Sequence, residues 1–264
     1  MKKIYILPFA LLFIISGCSK VAVTGRQQLS LIPASEMQTL SYTQYQQFLS
    51  ENKVSTDAQK TAMVKNCGMR IQKAVEQYMA QNGLSSQLSN FKWEFNLVED
   101  NTVNAWCMPG GKVVVYTGIL PVVQDETGLA VVLGHEIAHA IANHGGERMS
   151  QELAVQTGGQ ALSVAVSQKP ALTQQIFLQS FAIGSQVGVL LPYSRLHESE
   201  ADRIGLIFMA MAGYDPNAAI SFWQRMKAQG GQKPPEILST HPADDRRIAD
   251  IQKQMPEAMR YYKK

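Results

Sequence analysis

Cysteine is scarce: the chain of 264 residues carries only three. That excludes a disulfide-dense scaffold. Charge of one sign is lacking as well. Lys and Arg number 24 against 21 Asp and Glu, and Lys2 and Lys3 alone account for most of the formal +3. A basic field of the kind that draws nucleic acid is therefore absent. Glycine and proline, at 19 and 11, are ordinary, which excludes a collagen-like or low-complexity chain. There is no internal repeat, no stretch that reads as a domain linker, and no bilayer-length apolar run after Ile15. What is present is apolar substance. Hydrophobic residues make up 45% and charged residues 17%, enough for one substantial core at this length.

The first residues stand apart. Met1-Lys2-Lys3 precede an apolar run from Ile4 to Ile15 and the small pair Ser16-Gly17. Such a run rises about 18 Å as a helix, short of the roughly 30 Å hydrocarbon core, and residues 1–17 read as an export signal. Ile15-Ser16-Gly17-Cys18 resembles the bacterial lipobox. That resemblance implies acylation at Cys18, a tether over residues 18–34, and an N-terminal lipid anchor. With Ser19 rather than an aspartate after the cysteine, it implies the periplasmic face of the bacterial outer membrane. Cys67 and Cys107 then remain, as a disulfide pair or as two small buried hydrophobes.

Further on, periodicity predicts helices over 35–48, 57–81, 125–143, 147–167, 173–184, 194–211, 218–229 and 243–255. Alternation predicts a strand over 90–99, and the β-branched run Val113-Val114-Val115 a strand over 112–117 after the Pro109-Gly110-Gly111 turn. The expectation is one mostly helical α+β domain with a small β-sheet, spanning residues 35–264.

One helix carries chemistry. His135-Glu136-Ile137-Ala138-His139 lies in an otherwise apolar stretch. Residues four apart on a helix share a face, so both imidazoles can reach one Zn²⁺, with Glu136 at the edge of that face as a proton acceptor. Two histidines and a glutamate are expensive to bury without such a role. Candidates for a third protein ligand are His144, His197, Glu198, Glu200, Asp202 and His241. His144 is rotated about 140° from His139 and does not share the metal-facing side easily. Glu198 and Asp202, four apart, can be a ligand and the residue that holds a ligating histidine, or a solvated cluster with Arg195 and Arg203.

Four segments together resemble the M48 metallopeptidases: Asn104 to Gly111; His135 to Gly145; Ser194-Arg195 with Glu198, Ala201-Asp202 and Gly205; and Ser239-Thr240-His241-Pro242 with Arg247-Ile248. The resemblance, to the periplasmic lipoprotein kind in particular, implies a zincin-like fold and one zinc ion per subunit. It implies His135, His139 and Glu198 as ligands, Glu136 as general base, and Asp202 behind them. It implies that His241 either closes the site as a fourth ligand or stands near it in a loop. Arg195 is expected to steady the oxyanion or to pair with Glu198 or Asp202, and His197 to face away from the metal. A substrate chain is expected to pair in extended form along Val113 to Tyr116. The implied activity is endopeptidase cleavage of unfolded or misassembled cell-envelope proteins, with the outer-membrane assembly machinery as a partner and no nucleic acid. The competing implication is a chaperone-like or binding lipoprotein whose zinc site is latent, shut by His241.

Overall fold

The computed structural model describes residues 18–156, 170–181, 194–229 and 235–263. The export-signal region 1–17, the latter part of the helix expected over 147–167, and the apolar link 184–192 lie outside the described residues.

A three-stranded sheet organises the molecule. Its strands are β3 (Glu94–Val98), β4 (Ala105–Met108) and β5 (Lys112–Tyr116), after a separate hairpin of β1 (Cys18–Lys20) and β2 (Gln27–Leu29). The order is β3-β5-β4, with β5 parallel to β3 and antiparallel to β4. Gly110 and Gly111 turn β4 into β5 with φ of 83° and 80°, a region closed to most side chains. A Cβ on Gly111 would also strike the Trp93 ring.

Side chains alternate across a strand, so the two faces of β5 feed two apolar layers. Val113 and Val115 join a large core with α2 (Ala58–Gln81), α4 (Glu126–Ile141), α7 (Arg195–Met211), α8 (Ala218–Ala228) and α10 (Asp245–Met259). Val114 and Tyr116 join a smaller one with α1 (Ala34–Glu51), α5 (His144–Gln156) and α6 (Pro170–Phe181). Between them in the chain are the short α3 (Leu120–Val123) and α9 (Glu236–Thr240).

Helix starts are set by side-chain caps, each meeting an otherwise unpaired first-turn N–H. The Asp57 carboxylate accepts from the Lys60 N–H at the start of α2. Asp125 accepts from Gly128 in α4, the Ser194 hydroxyl from His197 in α7, and Asp244 from Arg247 in α10. The last three fix the phase of the helices that carry Glu136, Glu198 and Arg247. From Gly128 to Ile141 every residue of α4 except Ala140 is buried, so this helix runs through the interior with no solvent face.

Where α7 crosses α4, Gly134 meets Gly205. A Cβ on Gly134 would lie 2.9 Å from the Gly205 carbonyl oxygen, and one on Gly205 would lie 2.9 Å from the His135 nitrogen. The two backbones touch directly, one residue from His135.

Three expectations are corrected here. The segment 18–34 is not a loose tether: Val21 is buried in the main core and Gln28 is buried in β2, because the hairpin packs onto the domain. Val113 to Tyr116 cannot accept a substrate by edge pairing, because β5 is the central strand and both its sides are bonded. The strand expected over 90–99 begins only at Glu94; before it the Phe91 N–H turns back to the Leu88 carbonyl. As for the cysteines, no disulfide joins Cys67 and Cys107; both are buried thiols, and burial pushes Cys67 up to about 12. Among the described residues no helix is long and apolar enough to cross a membrane.

Glycine-to-alanine changes usually favour a helix by up to about 1 kcal/mol. At this crossing the sign reverses: Gly134→Ala and Gly205→Ala should each cost about 1–3 kcal/mol through overpacking, read by denaturant unfolding.

Candidate metal centre

Four donors from three parts of the chain converge. His135 and His139 stand one turn apart on α4, with their Nε2 atoms 3.0 Å from each other. Glu198, in the first turn of α7, brings Oε1 to 3.3 Å from His139 Nε2 and Oε2 to 3.4 Å from His135 Nε2. His241, just past α9, places Nδ1 at 3.1 Å from His135 Nε2 and 2.9 Å from Glu198 Oε1. The four offer one atom each within 4.8 Å of one another, and all are buried. Ligands with arms of about 2.1 Å at the corners of a tetrahedron are roughly 3.4 Å apart. Spacings of 2.9–3.4 Å suit an ion of that size, and two or three imidazoles with a carboxylate are a donor set that zinc accepts.

The surroundings hold the donors in place. Asp202 lies one turn beyond Glu198 on α7. His135 Nδ1 donates to its Oδ1 at 2.9 Å, which leaves Nε2 facing the other donors. Arg247 balances both acids from α10: Nη2 donates to Asp202 Oδ1 at 2.7 Å, Nε to Oδ2 at 2.8 Å, and Nη1 lies 2.8 Å from Glu198 Oε2. The guanidinium rests 3.4 Å over the centre of the Trp223 ring, and it is buried. Burial pushes Glu198 up, but His241, Arg247 and His135 more than offset it and hold the carboxyl well below its usual range.

Glu136 is the exception among these acids. Burial raises its carboxyl above the usual range, against the pull of His241 and His135. Its Oε1 is buried with no hydrogen-bond partner among the described residues; His241 Nε2 stands 3.6 Å away. A carboxylate left open beside a metal-sized cluster can take and return a proton.

The other sequence candidates fall outside the converging set. His144 lies behind His139, with the two Nδ1 atoms 2.9 Å apart, and burial with the nearby His197 charge lowers it to about 4. His197 is buried and its Nε2 meets Glu147 Oε2 at 3.0 Å. Arg195 is corrected in one of its two expected roles: exposed at the start of α7, it makes no ion pair with Glu198 or Asp202 among the described residues, while it lines a cavity together with both. The cation that pairs with Glu198 and Asp202 is Arg247 instead. Two buried acids called for a buried cation, but the sequence alone offers several arginines and no spacing rule that picks one.

A helix with two histidines one turn apart, joined by a carboxylate from a second helix, defines a metallopeptidase type of site. Residues 68–255 match peptidase family M48, and the chain belongs to that family, whose members are metal-dependent peptidases. The mitochondrial metalloendopeptidase OMA1 of Schizosaccharomyces pombe is 43% identical over 175 residues, 66% of this chain and 50% of its own length. Its Homo sapiens counterpart is 30% identical over 267 residues, 96% of this chain and 49% of its own length. The beta-barrel assembly-enhancing protease of Yersinia pestis is 34% identical over 163 residues, 60% of this chain and 33% of its own. The chain thus spans half or less of the length of these relatives. They correct one expectation: the placement as a lipid-anchored protein on the bacterial outer membrane is overturned by relatives from yeast to human that are mitochondrial.

Replacing Arg247 with Met should destabilise the metal-free protein by about 3–5 kcal/mol, because it strands two buried carboxylates; denaturant titration measures it. Glu147 sets an acid limit. Burial pushes it up, but hydrogen bonds from His197 and Arg26 hold it at about 2 against a usual 4.5. A depressed carboxyl adds stability above the unfolded value, and that stability is lost as pH falls from 4.5 toward 2. Glu147→Gln should therefore flatten the fall in melting temperature across that window.

Proposed function

We propose that this chain is a zinc-dependent endopeptidase acting in proteolytic quality control, on unfolded or misassembled proteins. The observation that carries the reading is the convergence of His135, His139 and Glu198, with Glu136 Oε1, which makes no hydrogen bond among the described residues, at its edge. Family membership supports it, and the names of the relatives supply protein substrates.

In this reading His135 Nε2, His139 Nε2 and a Glu198 oxygen hold zinc. Zinc held there would supply Lewis acidity, polarising the scissile carbonyl and lowering the pKa of water. Glu136 accepts the proton of the attacking water at Oε1 and hands it to the departing amine nitrogen. Asp202 keeps the His135 proton on Nδ1, and Arg247 offsets the charge of Glu198 and Asp202 so that both remain ionised without solvent.

His241 favours a second reading, a latent site in a binding or chaperone-like protein. Its Nδ1 already sits among the donors. A fourth protein donor occupying the water's place removes the nucleophile.

Glu136→Gln should lower casein or peptide cleavage by about 10²–10⁴-fold while zinc content stays at one per chain. Unchanged cleavage by that variant rules the reading out. His241→Ala should raise cleavage if His241 shuts the site; no gain, with client binding that survives Glu136→Gln, favours the binding reading.

A further inference from the structure

We propose that His144 and Glu200 are positioning residues that fix which nitrogen of His139 faces the metal, and that the N-terminal hairpin, through Arg26, holds them in register. The inference rests on the reading of His139 as a ligand.

The geometry begins at the end of α4. Asn143 adopts φ of 55°, an uncommon conformation that asparagine tolerates, and the chain reverses into α5 there. His144 is thereby folded back so that its ring meets that of His139. Its Nδ1 is 2.9 Å from His139 Nδ1, and its Nε2 is 3.0 Å from Glu200 Oε2. An ionised carboxylate can only accept, so His144 carries its proton on Nε2. In the neutral ring Nδ1 is then an acceptor, and His139 Nδ1 must be the donor. The lone pair of His139 is left on Nε2, the atom that faces His135 and Glu198. Glu200 through His144 thus does for His139 what Asp202 does directly for His135.

Glu200 is itself gripped from the far end of the sequence. The Thr24 hydroxyl donates to its Oε1, and Arg26 Nε donates to Oε2 at 2.8 Å. The same guanidinium clasps Glu147 with Nη2 and Nη1 at 2.7 and 3.1 Å. Glu147 in turn accepts from His197, whose ring stacks on His144 with centroids 4.5 Å apart. Thr24 and Arg26 lie in the turn between β1 and β2, which Val21 anchors in the main core. None of these groups takes part in the proton chemistry of Glu136, yet His144, Glu147, His197 and Glu200 are buried, and Thr24 and Arg26 bond to them from the partly covered hairpin turn.

The test is metal binding by the full chain rather than turnover. Zinc affinity is measured by competition with a chromophoric chelator, and site geometry by the visible spectrum of the cobalt-loaded protein. His144→Ala and Glu200→Ala should each weaken zinc binding by about 10–100-fold and shift the cobalt bands. Arg26→Ala should move both readouts in the same direction by a smaller factor. His144→Asn, whose side-chain oxygen can accept from His139 Nδ1, should recover part of the loss. Arg203→Ala, which breaks a bidentate pair with Glu257 elsewhere on α7, should change neither readout. If folded His144→Ala and Glu200→Ala hold zinc within twofold of the parent with an unshifted spectrum, the proposal is overturned. Should His144→Ala fail to fold, Glu200→Ala and Arg26→Ala decide on the same criteria. A parent protein that binds no zinc overturns the ligand reading beneath it as well, which keeps the two failures apart.

Discussion

Gly134 and Gly205 let two helix backbones touch, and the site is built outward from that contact. His135 is the next residue on one helix. Asp202 and Glu198 lie within two turns of the crossing on the other. With a side chain at either glycine the helices would separate, and the carboxylates would move off the imidazoles as a rigid set. Interiors are packed too tightly for such a shift to be absorbed locally. The interior course of α4 and the caps at Asp125 and Ser194 then fix the rotation of each helix, so that phase as well as separation is specified.

Around this crossing the buried charges divide into two clasped groups. Arg247 serves Glu198 and Asp202; Arg26 serves Glu147 and Glu200. Each group has a histidine leaning on its acid. Taking such ions out of water is costly, and hydrophobic replacements would often be as stable. What the ions provide is direction: a carboxylate behind an imidazole dictates where its proton sits. Glu136 lacks such a clasp, and its open oxygen fits the one acid that must exchange protons.

Much of this was legible before any coordinates. His135 to His139 in an apolar run announces a helix with two imidazoles on one face, and Asp57, Asn82 and Gly83 mark the ends of α2 closely. The β-branched run Val113 to Val115 also held more than an edge-strand reading took from it. A continuous apolar run signals a strand covered on both faces, and so a central one. Arg247 was hidden because pairing over 45 positions leaves no periodic trace. For His144 the helical angle holds only if the helix goes on; the left-handed Asn143 ends it and swings the ring back. The docked hairpin is hard to see because Val21, its anchor in the core, belongs to a run of only three apolar residues, too short to show a period.

The meeting of His135 with His241 across 106 positions has a consequence in time. As the chain is made from its N-terminus, α4 emerges long before α10 and the His241 loop. Until those segments dock, Glu198 and Asp202 lack their cation and the donor set lacks His241. Non-local contacts of this kind form late in folding. In that order the donor set closes only after most of the described domain has folded, so the site is a late product of the fold rather than its nucleus.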